Sequence, residues 1–258
     1  MTSESSVDAP RSARERVSTR DAPIPFGRLV AVELRKAVDT RAARAVLGTF
    51  IVLGVLVLIL SLFQDPDATL ATGALPAIFL VAGFPIIGVL LMTSEWGQRT
   101  AMTTFRLVPR RWRVLTAKVV AAIVVSLATV SVLLVVCLLM TAAALAARGD
   151  EVTTAGLGDA IRVVYVSVLT ATVFGLAWGA LLRSTPVALV FTIVVSLVVD
   201  VALAFALGDL ALWFSSAAFA DWVLGDVSFS LPVLTSVSIW YLAPLAVGCW
   251  LQTRWEVR

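Results

Sequence analysis

Residues 119–147 read VVAAIVVSLATVSVLLVVCLLMTAAALAA, twenty-nine positions without a charge between Lys118 and Arg148. A hydrocarbon core about 30 Å thick is crossed by about twenty apolar residues in α-helix. The run is therefore read as a spanning helix, long enough to tilt or to project beyond the bilayer. In lipid the backbone must satisfy its own hydrogen bonds, which a helix does within one segment.

Outward from this run lie five more apolar blocks, 45–63, 73–94, 163–182, 186–207 and 231–251, and only 186–207 holds a charge. Pro76, Pro85, Pro232 and Pro244 fall within or near these blocks, where neighbouring helices tolerate them as kinks. Of the 258 residues, 60% are apolar and 14% charged, with a mean hydropathy of +0.98. A soluble domain carries about 45–50% apolar and about 25% charged residues, so the chain is outside the soluble range. The expected fold is an all-α polytopic membrane protein of six transmembrane helices. An interfacial amphipathic helix precedes the first span, and a re-entrant or interfacial helix lies between spans 5 and 6.

Several chemistries are excluded by composition. The chain has no histidine, so neither a Ser–His–Asp triad nor a His-ligated metal can form. Cys137 and Cys249 each lie inside an apolar block, which suggests neither a thiolate metal site nor a disulfide. The lysines are Lys36 and Lys118, and neither follows a glycine, so no G-x-x-x-x-G-K phosphate loop exists. No cofactor or metal is expected. Any nucleotide energy would come from a partner.

The few charges are sorted. Residues 1–44 carry nine Lys/Arg, 95–118 six, Arg183 one and the tail after Leu251 two, so eighteen of twenty cations share one side. The other side holds Arg148 and Arg162 with eight carboxylates: Asp65, Asp67, Asp150, Glu151, Asp159, Asp209, Asp221 and Asp226. By the positive-inside rule the basic side is cytoplasmic, which puts both termini of a six-span chain in the cytoplasm. Residues 1–25, rich in Ser, Arg, Asp and Pro, are expected to be a disordered cytoplasmic tail. They are not read as a cleavable signal peptide, because the first apolar block begins near residue 45. The six-span unit is then 26–251, followed by a cytoplasmic tail at 252–258.

Four features stand out. In 26–44, Phe26, Val30 and Leu34 recur at helical spacing with Ala37 and Val38, while Arg28, Arg35, Lys36 and Asp39 cluster opposite. The pattern is an interfacial amphipathic helix, either a topology anchor or a surface gripped by a cytosolic partner. The loop 95–118 is the longest on the basic side, with Arg99 and Arg106 on one helical face and Pro109 ending that helix. A basic loop pairs readily with anionic headgroups, yet Glu95 at the end of span 2 runs against that account. Asp200 is the one charge inside a span, at a cost of about 2.5–3.5 kcal/mol on insertion scales. It is either a polar point on a pathway or a group snorkelling to the outer interface. Residues 210–224 (LALWFSSAAFADWVL) are too short to span and too apolar for a solvated loop, with Trp213 and Trp222 placed for headgroup depth. Gly175 and Gly179 form a G-x-x-x-G read as internal packing.

The loop carries a resemblance. Glu95, Arg99–Thr100, Pro109–Arg110–Arg111 and Lys118 resemble the pattern of type-2 ATP-binding-cassette (ABC) export permeases. In that family a Glu ends span 2, a Gly/Arg-Thr pair and a Pro-Arg follow, and a Lys enters span 3. Gly97 lies three residues before Thr100, whereas many members have the glycine directly before the threonine. The interfacial helix, six spans and apolar segment at 208–230 agree with that layout. The resemblance implies that loop 95–118 docks in a cleft of a separate cytosolic ATPase, with Glu95, Arg99 and Arg106 as polar contacts. It further implies no ATP hydrolysis by this chain, pairing of two permease copies or paralogues, and residence in the cell membrane. The competing expectation is a proton-coupled secondary transporter using Asp200. An intramembrane enzyme is disfavoured, because no histidine and one intramembrane acid cannot build a paired site.

Overall fold

The computed structural model of the protein describes residues 24–39, 41–65, 67–97 and 111–254. Among these residues every regular element is helical. Helix α1 is Phe26–Asp39, α2 Arg41–Gln64, α3 Leu70–Ala74, α4 Phe84–Gly97, α5 Arg111–Arg148 and α6 Leu157–Leu182. There follow α7 (Thr185–Val194), α8 (Asp200–Leu207), α9 (Ala218–Leu224), α10 (Leu231–Val237) and α11 (Ala243–Arg254). A π-helical turn, Val195–Val199, joins α7 to α8, and another, Ser238–Leu242, joins α10 to α11. Five continuous stretches are long and apolar enough to cross a membrane: Arg44–Gln64, Trp112–Arg148, Leu157–Leu182, Thr185–Trp213 and Leu231–Gln252.

The block at 73–94 departs from the single helix expected. It is broken into α3, an eight-residue 3-10 stretch at Leu75–Ala82, and α4. Runs of 3-10 helix beyond three or four residues are uncommon, and the local sequence accounts for this one. Pro76 withholds an N–H that a continuous α-helix would use, and Gly83 turns the corner before α4. Pro85 then sits in the first turn of α4, where a missing N–H is no loss. The broken element still runs the length of the bundle. Gly73 abuts Thr141 towards one end of α5, and Ser94 accepts a hydrogen bond from Lys118 near the other.

Helix α6 is the centre of the packing, flanked by α4, α11 and α5 and by the 3-10 stretch. Small residues set how closely these helices approach. Gly175 lies against the backbone of Pro85, Gly88 against Thr172 and Leu176, Gly179 against Val89, and Gly248 against Ala180. In lipid no hydrophobic drive pulls apolar helices together, so such backbone approach supplies the van der Waals contact instead. The G-x-x-x-G pair is thus buried in the α4–α6 seam.

Helix ends follow from local chemistry. Gly149 (φ 80°) closes α5 and Gly225 (φ 88°) closes α9, both in the left-handed region that glycine enters freely. Arg148 reaches back to the carboxyl end of α2, donating to the carbonyls of Leu62 and Asp65, where a cation suits the helix dipole. The end of the bundle with α1, Arg113 and Arg183 is basic. The end with Asp65, Asp150, Glu151, Asp209, Asp221 and Asp226 is acidic.

Two expectations about the basic end are corrected. Helix α1, expected to be interfacial and to run to residue 44, stops at Asp39, and Arg41 and Arg44 lie in the first turns of α2. The apolar stripe is also split. Val30, Leu34 and Ala37 turn inward together with Glu33, but Phe26 and Val38 stay exposed.

Candidate functional site

Glu33 is the least expected residue of that inward face, since a carboxylate there leaves water. It is 3% exposed, and its partner Lys118 is 1% exposed. The Lys118 ammonium donates to Glu33 Oε2 at 3.0 Å, to the Leu91 carbonyl at 3.1 Å and to Ser94 Oγ at 3.4 Å. On the rim, Lys36 donates to the other Glu33 oxygen at 2.7 Å. A buried charge is tolerable only when it is paired and its remaining hydrogen-bonding capacity is used, and both conditions are met here. Burial alone would raise the Glu33 carboxyl, but Lys118 and Lys36 outweigh it and hold the group below its ordinary value. The carboxylate is ionised at neutral pH.

The pair joins three elements at one point: α1 through Glu33, the last turns of α4 through Leu91 and Ser94, and the first turns of α5 through Lys118. The loop resembling the coupling motif leaves from α4 and returns into α5. Of its residues, Glu95 lies in the last turn of α4 and Arg111 is the first residue of α5. Arg99, Thr100, Arg106, Pro109 and Arg110 lie outside the described residues. Lys118 lies within the bundle rather than on its surface. Glu33 was missed by sequence reasoning, because helical periodicity selects apolar positions and nothing local ties it to a lysine 85 residues on.

A second polar cluster sits at the acidic end around Asp200. The first residue after the π turn at Val195–Val199, Asp200 accepts from the Ser216 backbone N–H at 2.8 Å and from the Ser216 hydroxyl. From the stretch Leu231–Gln252, Tyr241 OH donates to the Ser216 carbonyl at 2.8 Å, Trp240 Nε1 to the Phe214 carbonyl at 2.6 Å and Ser236 Oγ to the Ser215 carbonyl. The turn 214–216 is thereby held by side chains of two spans. Below it Phe174, Val195 and Tyr241 form a small core, with Trp178, Phe191, Phe219 and Trp240 packed around. The single helix expected over 210–224 is instead a 3-10 stretch at Gly208–Trp213, the turn, and the seven-residue α9, whose last turn Arg162 ties to α6 by donating to the Leu224 carbonyl at 2.9 Å.

Among the described residues no group of three or more His, Cys, Asp or Glu side chains could hold a metal. The apolar crevice lined by Val46, Leu47, Phe50, Gly83, Phe84 and Ile87 leaves no room for a water molecule. Cys137 and Cys249 are free thiols.

These features define a class: a helical membrane protein with five long apolar helices, one broken apolar element and polar junctions at both ends. In comparisons with known proteins, no family model, no curated protein and no solved structure matches the chain.

Proposed function

We propose that this chain is the membrane-spanning permease subunit of an ABC exporter, driven by a separate cytosolic ATPase that docks on the loop between spans 2 and 3. The observation that carries the reading is the Glu33–Lys118 junction. It fastens both flanks of that loop to α1, so a displacement applied at the loop would move α1, α4 and the start of α5 together. The glycine seam of α4 with α6 would pass the same motion into the centre of the bundle. Rigid-body movement of packed helices is the usual form of such coupling.

In this reading the broken element counts as span 2, the chain crosses the cell membrane six times, and the charge sorting keeps the basic end and both termini in the cytoplasm. Glu95, Arg99, Thr100, Arg106, Pro109, Arg110 and Arg111 serve the docking contact, and Lys118 serves it from within. Two copies, or one copy and a paralogue, enclose a pathway for an amphipathic or hydrophobic substrate, since the spans offer few polar contacts.

The test is co-purification in mild detergent from native membranes, followed by ATP hydrolysis in the isolated complex. An ATPase subunit that co-purifies, and loses hydrolysis coupled to this chain on Arg99→Glu or Glu95→Arg, supports the proposal. Repeated purification without any ATPase, from cells that express the chain at native level, overturns it.

A further inference from the structure

The Asp200 cluster does something the permease reading leaves unassigned. Helix α8, which Asp200 opens, has no buried residue, and Phe205 on it is 89% exposed. The outer half of span 5 therefore stands away from the bundle beyond the π turn at Val195–Val199. Span 6 carries its own π turn, Ser238–Leu242, and this one presents Trp240 and Tyr241 to the same turn of chain that Asp200 holds. π turns inside helices recur where a helix must bend or present a group. Here two of them, on consecutive spans, flank one short polar turn.

The backbone of that turn is fully engaged: the carbonyls of Phe214, Ser215 and Ser216 and the N–H of Ser216 each have a side-chain partner on span 5 or span 6. Its apolar continuation is packed as well. Ala218 is 0% exposed, and the Phe219 ring meets the Tyr241 ring at 5.1 Å, edge to face. The three span 6 donors each make one bond. Asp200 makes two, with both carboxylate oxygens, and it alone comes from the span that otherwise leans away.

We propose that Asp200 is a latch: its carboxylate, held on Ser216, pins the 208–230 segment as a cap across the acidic end of spans 5 and 6, and the two π turns are the joints about which cap and outer span 5 lift when it opens. A carboxylate at this depth is costly on its own. A latch accounts for its presence, because an ionised acceptor bonds a hydroxyl and an N–H more strongly than a neutral one and can still let go to water at the membrane surface. The inference stands apart from the ABC reading and concerns the cap whatever drives the bundle.

The experiment reads cap opening rather than transport. The full-length protein in lipid nanodiscs carries Ala218→Cys as a buried reporter and Cys249→Ala, with native Cys137, 0% exposed, as an internal control of folding. Labelling by a membrane-impermeant maleimide is resolved by peptide mass spectrometry. Asp200→Ala is expected to raise the labelling rate at position 218 about tenfold or more, with Cys137 still protected. Asp200→Asn, which keeps one acceptor for the Ser216 N–H, should raise it less than Asp200→Ala. If Asp200→Ala fails to fold, Ser216→Ala takes its place and is expected to raise the rate about threefold. The proposal is overturned if position 218 labels at the parent rate in Asp200→Ala, or in Ser216→Ala where that variant stands in. It is equally overturned if labelling at Cys137 rises in step, which would make Asp200 a general stability residue.

Discussion

Lys118 and Glu33, 85 positions apart in the chain, meet at 3.0 Å inside the bundle and join α1 to the end of α4 and the start of α5. Each partner also has a second bond, Glu33 to Lys36 and Lys118 to the Leu91 carbonyl, so the pair sits in a built polar setting. A buried pair of this kind is weak evidence for extra stability but strong evidence for position, because either charge alone would be intolerable.

The first prediction follows from that asymmetry. Lys118→Met leaves the Glu33 carboxylate with its rim partner Lys36 in place of two cations, and Glu33→Leu takes the carboxylate away from the buried Lys118 ammonium. Each is expected to cost about 3–5 kcal/mol, the usual loss when one member of a buried pair is removed. The double variant should recover most of that loss. Chemical unfolding in detergent checks it, and single variants within about 1 kcal/mol of the parent would contradict a buried pair.

The same pair has a pH signature. The Glu33 carboxyl is held below its ordinary value. Its contribution is therefore complete above the ordinary value and lost only as pH falls through the lower, folded one. Between pH 7 and pH 5 the parent and a Glu33→Gln variant should differ by a constant amount. Their unfolding midpoints should converge only at more acid pH, and convergence already at pH 6 would be inconsistent with the shift.

Asp221 behaves in the opposite sense. Burial first, then Asp226 and Asp200, push its carboxyl above the ordinary value. The folded cap therefore binds a proton more tightly than the unfolded chain does. The penalty is fully present above the folded value and is relieved as pH falls through it towards the ordinary one. Hydrogen exchange over α9, corrected for intrinsic rates, should show protection rising on acidification from neutral pH towards the ordinary carboxyl value. Asp221→Asn should be better protected at pH 7 and flat across the range. An equal pH dependence in that variant would assign the effect to another group.

The parts of this fold legible in the sequence were those governed by lengthwise rules. Runs such as 119–147 read as spans because lipid demands about twenty apolar residues in helix, and α5 is a helix of that length with eight further residues, Arg111 to Lys118, wound onto its start. The break of 73–94 was less legible: Pro76, Gly83 and Pro85 are visible, but whether prolines kink a helix or split it depends on neighbours such as Phe50, which packs against Gly83. Asp200 was visible as a lone charge, whereas Ser216 was not visible as its partner. Pairings across the fold, Glu33 with Lys118 and Asp200 with Ser216, are set by how helices dock. No local pattern encodes them.

The last prediction concerns the seam that would carry motion from α4 to α6. A Cβ built on Gly175 would meet the Pro85 carbonyl oxygen at 2.1 Å and the Pro85 Cα at 2.6 Å, both backbone atoms that cannot rotate aside. Gly175→Ala must therefore push α4 and α6 apart, and overpacking of this kind typically costs about 1–3 kcal/mol. Gly48, on α2, has nothing within 4 Å of its Cβ position. Gly48→Ala should be neutral or gain up to about 1 kcal/mol from helix propensity. The two substitutions add the same methyl group to a helix, so propensity cancels in the comparison and only the seam remains. Thermal unfolding in detergent should place Gly175→Ala clearly below the parent and Gly48→Ala at or above it. Equal midpoints would mean that α4 and α6 do not approach backbone to backbone, and the path from the Lys118 junction into the bundle would then have to run elsewhere.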